Sequence, residues 1–179
     1  MKKNNKIGFS KYLVALSLML ILGACAAKHE IINSSTNTKL LPQKSIYISL
    51  PNDGRYGNIN YPGSGITTSQ VLLKNFSKYN NNIIVSNQYR PFSSALSQAR
   101  IKGSEYLIYP TILEWEDRAT EWSGKPDRIS IKIQTVEANT GKTLNSTIIQ
   151  GKSSWATLGG DHPQDLLQKP IEELVNNLY

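Results

Sequence analysis

The densest group of side chains that could do chemistry lies between Glu114 and Trp122. Aromatic residues and arginine dominate the energetics of protein interfaces, so a stretch that mixes indoles, a guanidinium and carboxylates favours a binding surface. A solvated strand edge, whose charges discourage edge-to-edge pairing, remains the plainer alternative. The predicted interaction surface consists of Trp115, Glu116, Asp117, Arg118, Glu121 and Trp122.

The same stretch contains a pair of carboxylates with the spacing of a possible acid and base. Alternation along a strand places Glu114 and Glu116 on one face and Asp117 on the other. Glycoside hydrolases act with two such carboxylates, so an envelope hydrolase that cleaves glycan or peptidoglycan is the alternative function. It requires a concave cleft that holds both side chains, with at least one raised pKa.

The remaining polar motifs do not predict a metal or cofactor site. His162 follows Asp161 in a glycine-rich turn, and the only other histidine is His29. A zinc site takes three or four protein ligands, and no such spacing is visible. We therefore expect no cofactor and no metal, and we interpret the turn as a cap for a C-terminal helix.

Cys25 is the only cysteine, and its surroundings give it a specific chemistry. Four lysines and no acidic residue precede an apolar run from Tyr12 to Leu22, which is the layout of a secretory signal. Leu22-Gly23-Ala24-Cys25 resembles the bacterial lipobox, which implies that Cys25 becomes the acylated first residue. Ala26 at the next position resembles the pattern of lipoproteins sorted to the outer membrane.

The charge balance changes once residues 1–24 are set aside as a signal peptide. Four of the twenty Lys and Arg residues lie there, and none of the thirteen Asp and Glu residues does, so the mature chain carries about +3. No basic run typical of nucleic-acid binding remains. Residues 26–44 are polar and show no apolar period, so we predict a lipidated cysteine and flexible tether over 25–44 and a single domain over 45–179.

Hydrophobic periodicity supplies the elements that would position these residues. The pattern predicts a first strand over 45–50 and a glycine-rich loop over 54–65. Counted from this first strand, the predicted order of elements is β-α-β-α-β-β-β-α. This order favours a two-layer α+β domain with a mixed sheet and helices mainly on one face. The glycine-rich loop, which contains two tyrosines, is a second candidate for the interaction surface.

Three segments resemble a family of uncharacterised Gram-negative lipoproteins, a domain-of-unknown-function family, over about residues 40–179. They are Ala95-Leu96-x-x-Ala99-Arg100 with Gly103-x-x-Tyr106-Leu107, the run from Trp115 to Ser123, and Asp165-Leu166-Leu167-x-x-Pro170-Ile171. The helix-to-strand unit is also similar, at the level of fold, to the TolB N-terminal domain and to lipoproteins that activate penicillin-binding proteins. The resemblance implies a protein-binding role and assigns no activity.

Together these patterns predict an outer-membrane lipoprotein that faces the periplasm and acts as a non-enzymatic binding or assembly module. We expect the protein to be anchored in the membrane by the lipid on Cys25, to bind an envelope protein, and to bind no nucleic acid. A structural lipoprotein without a specific ligand is the remaining alternative.

Overall fold

The computed structural model of the protein describes residues 28–33, 38–118, 125–153 and 162–179. Eight strands and three helices lie in these ranges. In chain order they are β1 (Lys28–Asn33), β2 (Ile46–Leu50), β3 (Gly54–Tyr56), β4 (Ile59–Tyr61), α1 (Ser64–Phe76), β5 (Ile83–Tyr89), α2 (Phe92–Ile101), β6 (Tyr106–Glu116), β7 (Arg128–Glu137), β8 (Thr143–Lys152) and α3 (Asp165–Leu178).

Six strands form one mixed sheet in the order β1-β8-β7-β6-β2-β5, and β3 and β4 form a separate hairpin. The pairs β6–β7, β7–β8 and β8–β1 are antiparallel. Strand β2 lies parallel to both β5 and β6, because the crossovers between these strands contain helices α1 and α2. The end of β6 therefore lies between β7 and the hairpin, where the predicted surface residues begin.

The two faces of the sheet carry two separate apolar clusters. Helices α1 and α3 cover the larger one, in which Leu72, Phe76, Leu167 and Ile171 pack against isoleucines from β2, β6, β7 and β8. Helix α2 covers the smaller one through Ala95 and Ala99, at one end of the other face. The predicted α+β class with a mixed sheet and helices mainly on one face is thus confirmed, with α2 on the opposite face.

Strand β1 lies inside the range that the sequence analysis predicts as a tether. Lys28–Asn33 pairs antiparallel with β8 along its whole length, so the prediction is corrected for these six residues. Ile31 packs against the larger core, and His29 Nε2 lies 3.5 Å from Glu173 Oε2 on α3. The polar composition of Lys28–Asn33 did not indicate a strand, because only alternate side chains of an edge strand need to be apolar.

The predicted glycine-rich loop is also ordered as secondary structure. Residues 54–61 form the β3–β4 hairpin, in which Tyr56 pairs with Ile59 across a two-residue turn. Gly57 occupies the first turn position with φ +56°, where a type II′ turn needs positive φ. The hairpin packs on β6 beside the predicted interaction surface.

In the part of the chain that the structure describes, no helix is both long enough and apolar enough to cross a bilayer.

Candidate interaction site

Trp115 is a core residue in this structure, because a bulge in β6 changes its direction. The register of β6 against β7 shifts between Ile112 and Glu114, and a bulge turns the following side chains to the opposite face. Trp115 therefore joins the larger apolar cluster and is only 4% exposed. Its indole stabilises the domain and does not face solvent.

Glu116, the next residue, is a buried carboxylate that holds Arg118. It is 1% exposed, and its Oε1 accepts hydrogen bonds from both Nε and Nη2 of Arg118. Its Oε2 is buried and has no hydrogen-bond partner among the residues that the structure describes. Hydrogen bonding to Glu116 raises the pKa of the Arg118 guanidinium above its ordinary value, so this side chain stays charged and fixed in direction.

Tyr56 from the hairpin completes the environment of Arg118. Arg118 Nη2 donates to Tyr56 Oη at 3.1 Å, and the guanidinium carbon lies 5.4 Å from the centre of the Tyr56 ring. The Tyr56 side chain is 41% exposed and that of Arg118 is 26% exposed. A preoriented arginine beside an exposed aromatic ring is the combination typical of interface hot spots.

The position of the hairpin depends on Gly54. A Cβ atom at Gly54 would lie 2.3 Å from Trp115 Cβ, so only glycine permits this approach. Ser64 Oγ accepts from the Gly54 amide and donates to the Tyr61 carbonyl, both at 2.7 Å. The first turn of α1 therefore holds both strands of the hairpin against β6.

A second buried carboxylate, Asp127, supports the chain beyond Glu116. Its Oδ1 accepts from the Arg118 amide at 2.5 Å, and its own amide donates to Ser153 Oγ at 2.8 Å. Burial raises the pKa of the Asp127 carboxyl, and the charges of Asp117 and Glu116 raise it further, whereas the Arg118 amide and His162 act in the opposite direction. Asp127 thus links the Arg118 backbone to Ser153 at the end of the sheet.

Asp117 and His162 lie at the exposed margin of the site. His162 Nδ1 is 4.0 Å from Asp117 Oδ1, and both side chains are largely exposed. Tyr61 Oη donates to the Asp117 carbonyl at 3.3 Å. We use the name Arg118 surface for the exposed group formed by Tyr56, Ile59, Asp117 and Arg118.

The six predicted surface residues therefore have different positions. Asp117 and Arg118 reach the surface, whereas Trp115 and Glu116 are buried beneath it. Glu121 and Trp122 lie outside the described residues, as do Cys25 and the signal segment. The glycine-rich segment, the second candidate, is brought into direct contact with Arg118 through Tyr56.

The carboxylate pair of the hydrolase alternative is not brought together in one cleft. Glu114 lines an open pocket of about 660 Å³, together with residues of β1, β7 and β8. Glu116 does not line this pocket, and its Oε1 is bonded to Arg118. Among the residues described, no group of three or more His, Cys, Asp or Glu side chains is placed to hold a metal ion.

Sequence reasoning missed two contributors to the site. Tyr56 was noted only as part of a glycine-rich loop, and its contact with Arg118 depends on the turn at Gly57 and on the space left by Gly54. The sequence analysis assigns no role to Asp127, although this residue is only 1% exposed. The pairing of β6 with β7 places Arg128 opposite Glu116. Predicting this pairing would have placed Asp127, the residue before Arg128, next to the end of β6.

Comparison with known proteins confirms the predicted resemblance to a family without assigned function. The DUF4823 family, a domain of unknown function, matches residues 38–178. No curated protein matches the chain. At their low identities the solved structures show the fold alone.

Three bacterial structures are similar to this chain, and among them the PelC structure has a TM-score above 0.5. The PelC dodecamer from Paraburkholderia phytofirmans is 11% identical with a TM-score of 0.65, covering 84% of this chain and 97% of PelC. Lipoprotein GNA1162 from Neisseria meningitidis is 18% identical with a TM-score of 0.45, covering 74% and 94%. The LpoB C-terminal domain from Salmonella enterica is 15% identical with a TM-score of 0.41, covering 65% and 87%.

Proposed function

The chain belongs to the DUF4823 family, a domain of unknown function, and we propose that it is a lipid-anchored envelope protein that binds a protein partner through the Arg118 surface. The observation that carries this proposal is the state of Arg118. Its guanidinium is held by the buried carboxylate of Glu116 and lies over the exposed ring of Tyr56 at a cation–π distance. Because its direction is already fixed, little side-chain entropy is lost when a partner binds.

The apolar part of the same surface supports a protein partner over a small polar ligand. Ile59 lies directly opposite Tyr56 in the hairpin and is 57% exposed. Asp117 adds an exposed carboxylate beside Arg118. An aromatic and aliphatic patch with flanking charges matches the composition of interface cores and their polar rims.

A photocrosslinking experiment in cells tests this surface. A photoreactive phenylalanine analogue at Ile59 should capture a discrete envelope protein, whereas the same analogue at Ile101, an exposed residue at the end of α2, should not. Tyr56→Ala and Arg118→Ala should each abolish the captured band. Tyr89→Ala, at a comparably exposed tyrosine of β5, is the matched control. Equal capture from positions 59 and 101 would contradict the proposal.

The anchoring part of the proposal rests on the lipobox around Cys25. We propose that Cys25 is acylated and that Ala26 directs the protein to the periplasmic face of the outer membrane. Radiolabelled palmitate should enter the wild-type protein and should be absent from Cys25→Ala. Density separation of the two membranes should recover the labelled protein with outer-membrane markers; recovery with inner-membrane markers would refute the sorting step.

Assembly with further copies of the chain is a second candidate, which the PelC dodecamer favours. PelC has the same fold over most of both chains, and its structure is a dodecamer. The test is the mass of the acylated protein in detergent, measured by light scattering. A mass of one chain would leave a different protein as the partner, whereas a defined multiple would support self-assembly.

A further inference from the structure

Three cationic residues lie in one register row at the end of the sheet where β1 begins. Lys28 pairs with Lys152 across β1 and β8, and Arg128 pairs with Lys152 across β7 and β8. All three residues are exposed. Directly opposed residues point to the same face of a sheet, with Cβ atoms about 5 Å apart. We call Lys28, Arg128 and Lys152 the basic row.

This arrangement opposes like charges and is not neutralised by the described part of the chain. Opposed like charges destabilise a sheet, and no described carboxylate forms an ion pair with any of the three residues. The nearest acidic residue in register, Glu116, is buried and bonded to Arg118. An arrangement that costs stability without a counter-charge indicates an external anion.

On the face of the sheet that carries the basic row, two carboxylates lie further from the end of the sheet. Glu30 and Glu114 are each two residues deeper along their strands, opposite Gln150 and Ser130. Two residues of a strand span about 7 Å. Asp117 and Asp127 each lie one residue beyond the register row; Asp127 is buried and bonded to the Arg118 amide, and Asp117 lies beside His162. Among the described residues of this face, the exposed positive charge is therefore outermost. The same three cations border the open pocket described above.

The short separation of Cys25 and Lys28 brings this end of the sheet to the membrane. Only Ala26 and Ala27 lie between them, and three fully extended residue steps span at most about 11 Å. If Cys25 carries acyl chains that enter the bilayer, Lys28 must lie near the headgroups. This step rests on the acylation proposed above.

We propose that the basic row binds the anionic phospholipid headgroups of the membrane that holds the lipid anchor. The anchor supplies most of the membrane affinity, and the row sets the orientation of the domain, with the β1 end of the sheet against the surface. Near an anionic surface each lysine or arginine adds about fivefold to partitioning. Three of them together add roughly 100-fold.

The test uses the mature chain, residues 25–179, which contains every contact described above. Cys25, the only cysteine, is alkylated with a single tetradecyl maleimide, because one chain of this length gives only marginal binding of about 10⁴ M⁻¹. Partitioning is then measured on vesicles of phosphatidylglycerol with phosphatidylethanolamine and on vesicles of phosphatidylcholine alone.

The wild-type chain should partition roughly 100-fold more strongly onto the phosphatidylglycerol vesicles, and high salt should remove the difference. The variant Lys28→Gln/Arg128→Gln/Lys152→Gln should lose nearly all of it. The control Lys74→Gln/Lys102→Gln/Lys142→Gln changes the net charge equally and should keep it. Circular dichroism confirms that both variants are folded.

Two outcomes would overturn the proposal. One is equal partitioning of the wild type and the basic-row variant onto phosphatidylglycerol vesicles. The other is an equal loss in the control variant, which would show a general effect of net charge. Because the acyl chain is attached chemically, neither outcome depends on acylation in the cell, which the palmitate experiment tests separately.

Discussion

The buried carboxylate of Glu116 at the end of β6 is stabilised by its ion pair with Arg118. Within the described ranges, Arg118 is the one charged partner of Glu116, and Glu116 Oε2 has no hydrogen-bond partner. Removing one member of a buried pair leaves an uncompensated charge, whereas replacing both can be nearly neutral. The two residues should therefore behave as a unit in stability measurements.

This reasoning predicts the order of stability in a double-mutant cycle. Arg118→Gln should have a lower urea midpoint than the double variant Glu116→Gln/Arg118→Gln, because the single change leaves the buried Glu116 carboxylate without its cation. Equilibrium unfolding monitored by tryptophan fluorescence gives the midpoints. Additive effects of the two single changes would show that the residues do not interact.

Asp127 leads to a prediction about pH. Burial raises its folded-state pKa above the ordinary value of 3.8, so at neutral pH the charged carboxyl costs stability. Asp127→Asn keeps the acceptor for the Arg118 amide and removes the charge. The variant should be more stable than the wild type near pH 7, and the advantage should shrink as the pH falls through the raised pKa and vanish below 3.8.

A control of opposite sign is available on α3. The hydrogen bond from Lys78 lowers the pKa of Glu172 below its ordinary value, so that the charged form stabilises the fold. Glu172→Gln should be less stable than the wild type near neutral pH, and this difference should also disappear in acid. Urea unfolding between about pH 7 and about pH 3 measures both variants; parallel curves for the wild type and Asp127→Asn would contradict the first prediction.

At the scale of elements, the hairpin is positioned by a contact that allows no side chain. A Cβ at residue 54 would meet Trp115 Cβ at 2.3 Å. We expect Gly54→Ala to lower the free energy of unfolding by about 1–3 kcal/mol, as overpacking does, and to weaken photocapture from Ile59. Asn58→Ala in the exposed turn of the same hairpin is the control. Unchanged stability of Gly54→Ala would show that the hairpin moves freely.

The elements also show what the sequence can predict and what it cannot. The spacing of Phe92, Ala95, Leu96 and Ala99 predicted α2, and the alternation of Ile129, Ile131 and Ile133 predicted β7, because each pattern is local. The bulge after Ile112 has no local signature, so Trp115 was predicted as a surface residue although it lies in the core.

The difference between local and long-range patterns also explains why the sequence analysis did not predict the β3–β4 hairpin and strand β1. The β3–β4 hairpin depends on the fit of Gly54 against Trp115, and β1 depends on pairing with β8, more than a hundred residues away. Long-range pairing of this kind is decided by tertiary packing and not by propensity. Arg118 and Asp117 could be predicted as surface residues because charged side chains follow the last apolar position of β6. Their aromatic neighbour Tyr56 could not.

At the scale of the whole molecule, strand β1 changes the expected distance between the domain and the membrane. A flexible tether of about nineteen residues would have a root-mean-square reach of about 25 Å. In the structure β1 begins three residues after Cys25, which limits the separation to about 11 Å. Glu116, which holds Arg118, lies in the same register row as Arg128, so the Arg118 surface is near the end of the sheet that we propose faces the membrane.

This geometry predicts that the position of an inserted linker matters more than its length. Twenty Gly and Ser residues inserted between Ala27 and Lys28 would give the domain a reach of about 25 Å from its anchor. They should sharply reduce photocapture of a membrane-bound partner from Ile59, because the effective concentration falls. The same insertion between Ser35 and Thr36 leaves the separation of Cys25 and β1 unchanged and should preserve capture. If both insertions reduce capture equally, β1 does not hold the domain at the membrane; if neither does, the partner is reached from solution and the Arg118 surface acts independently of the anchor.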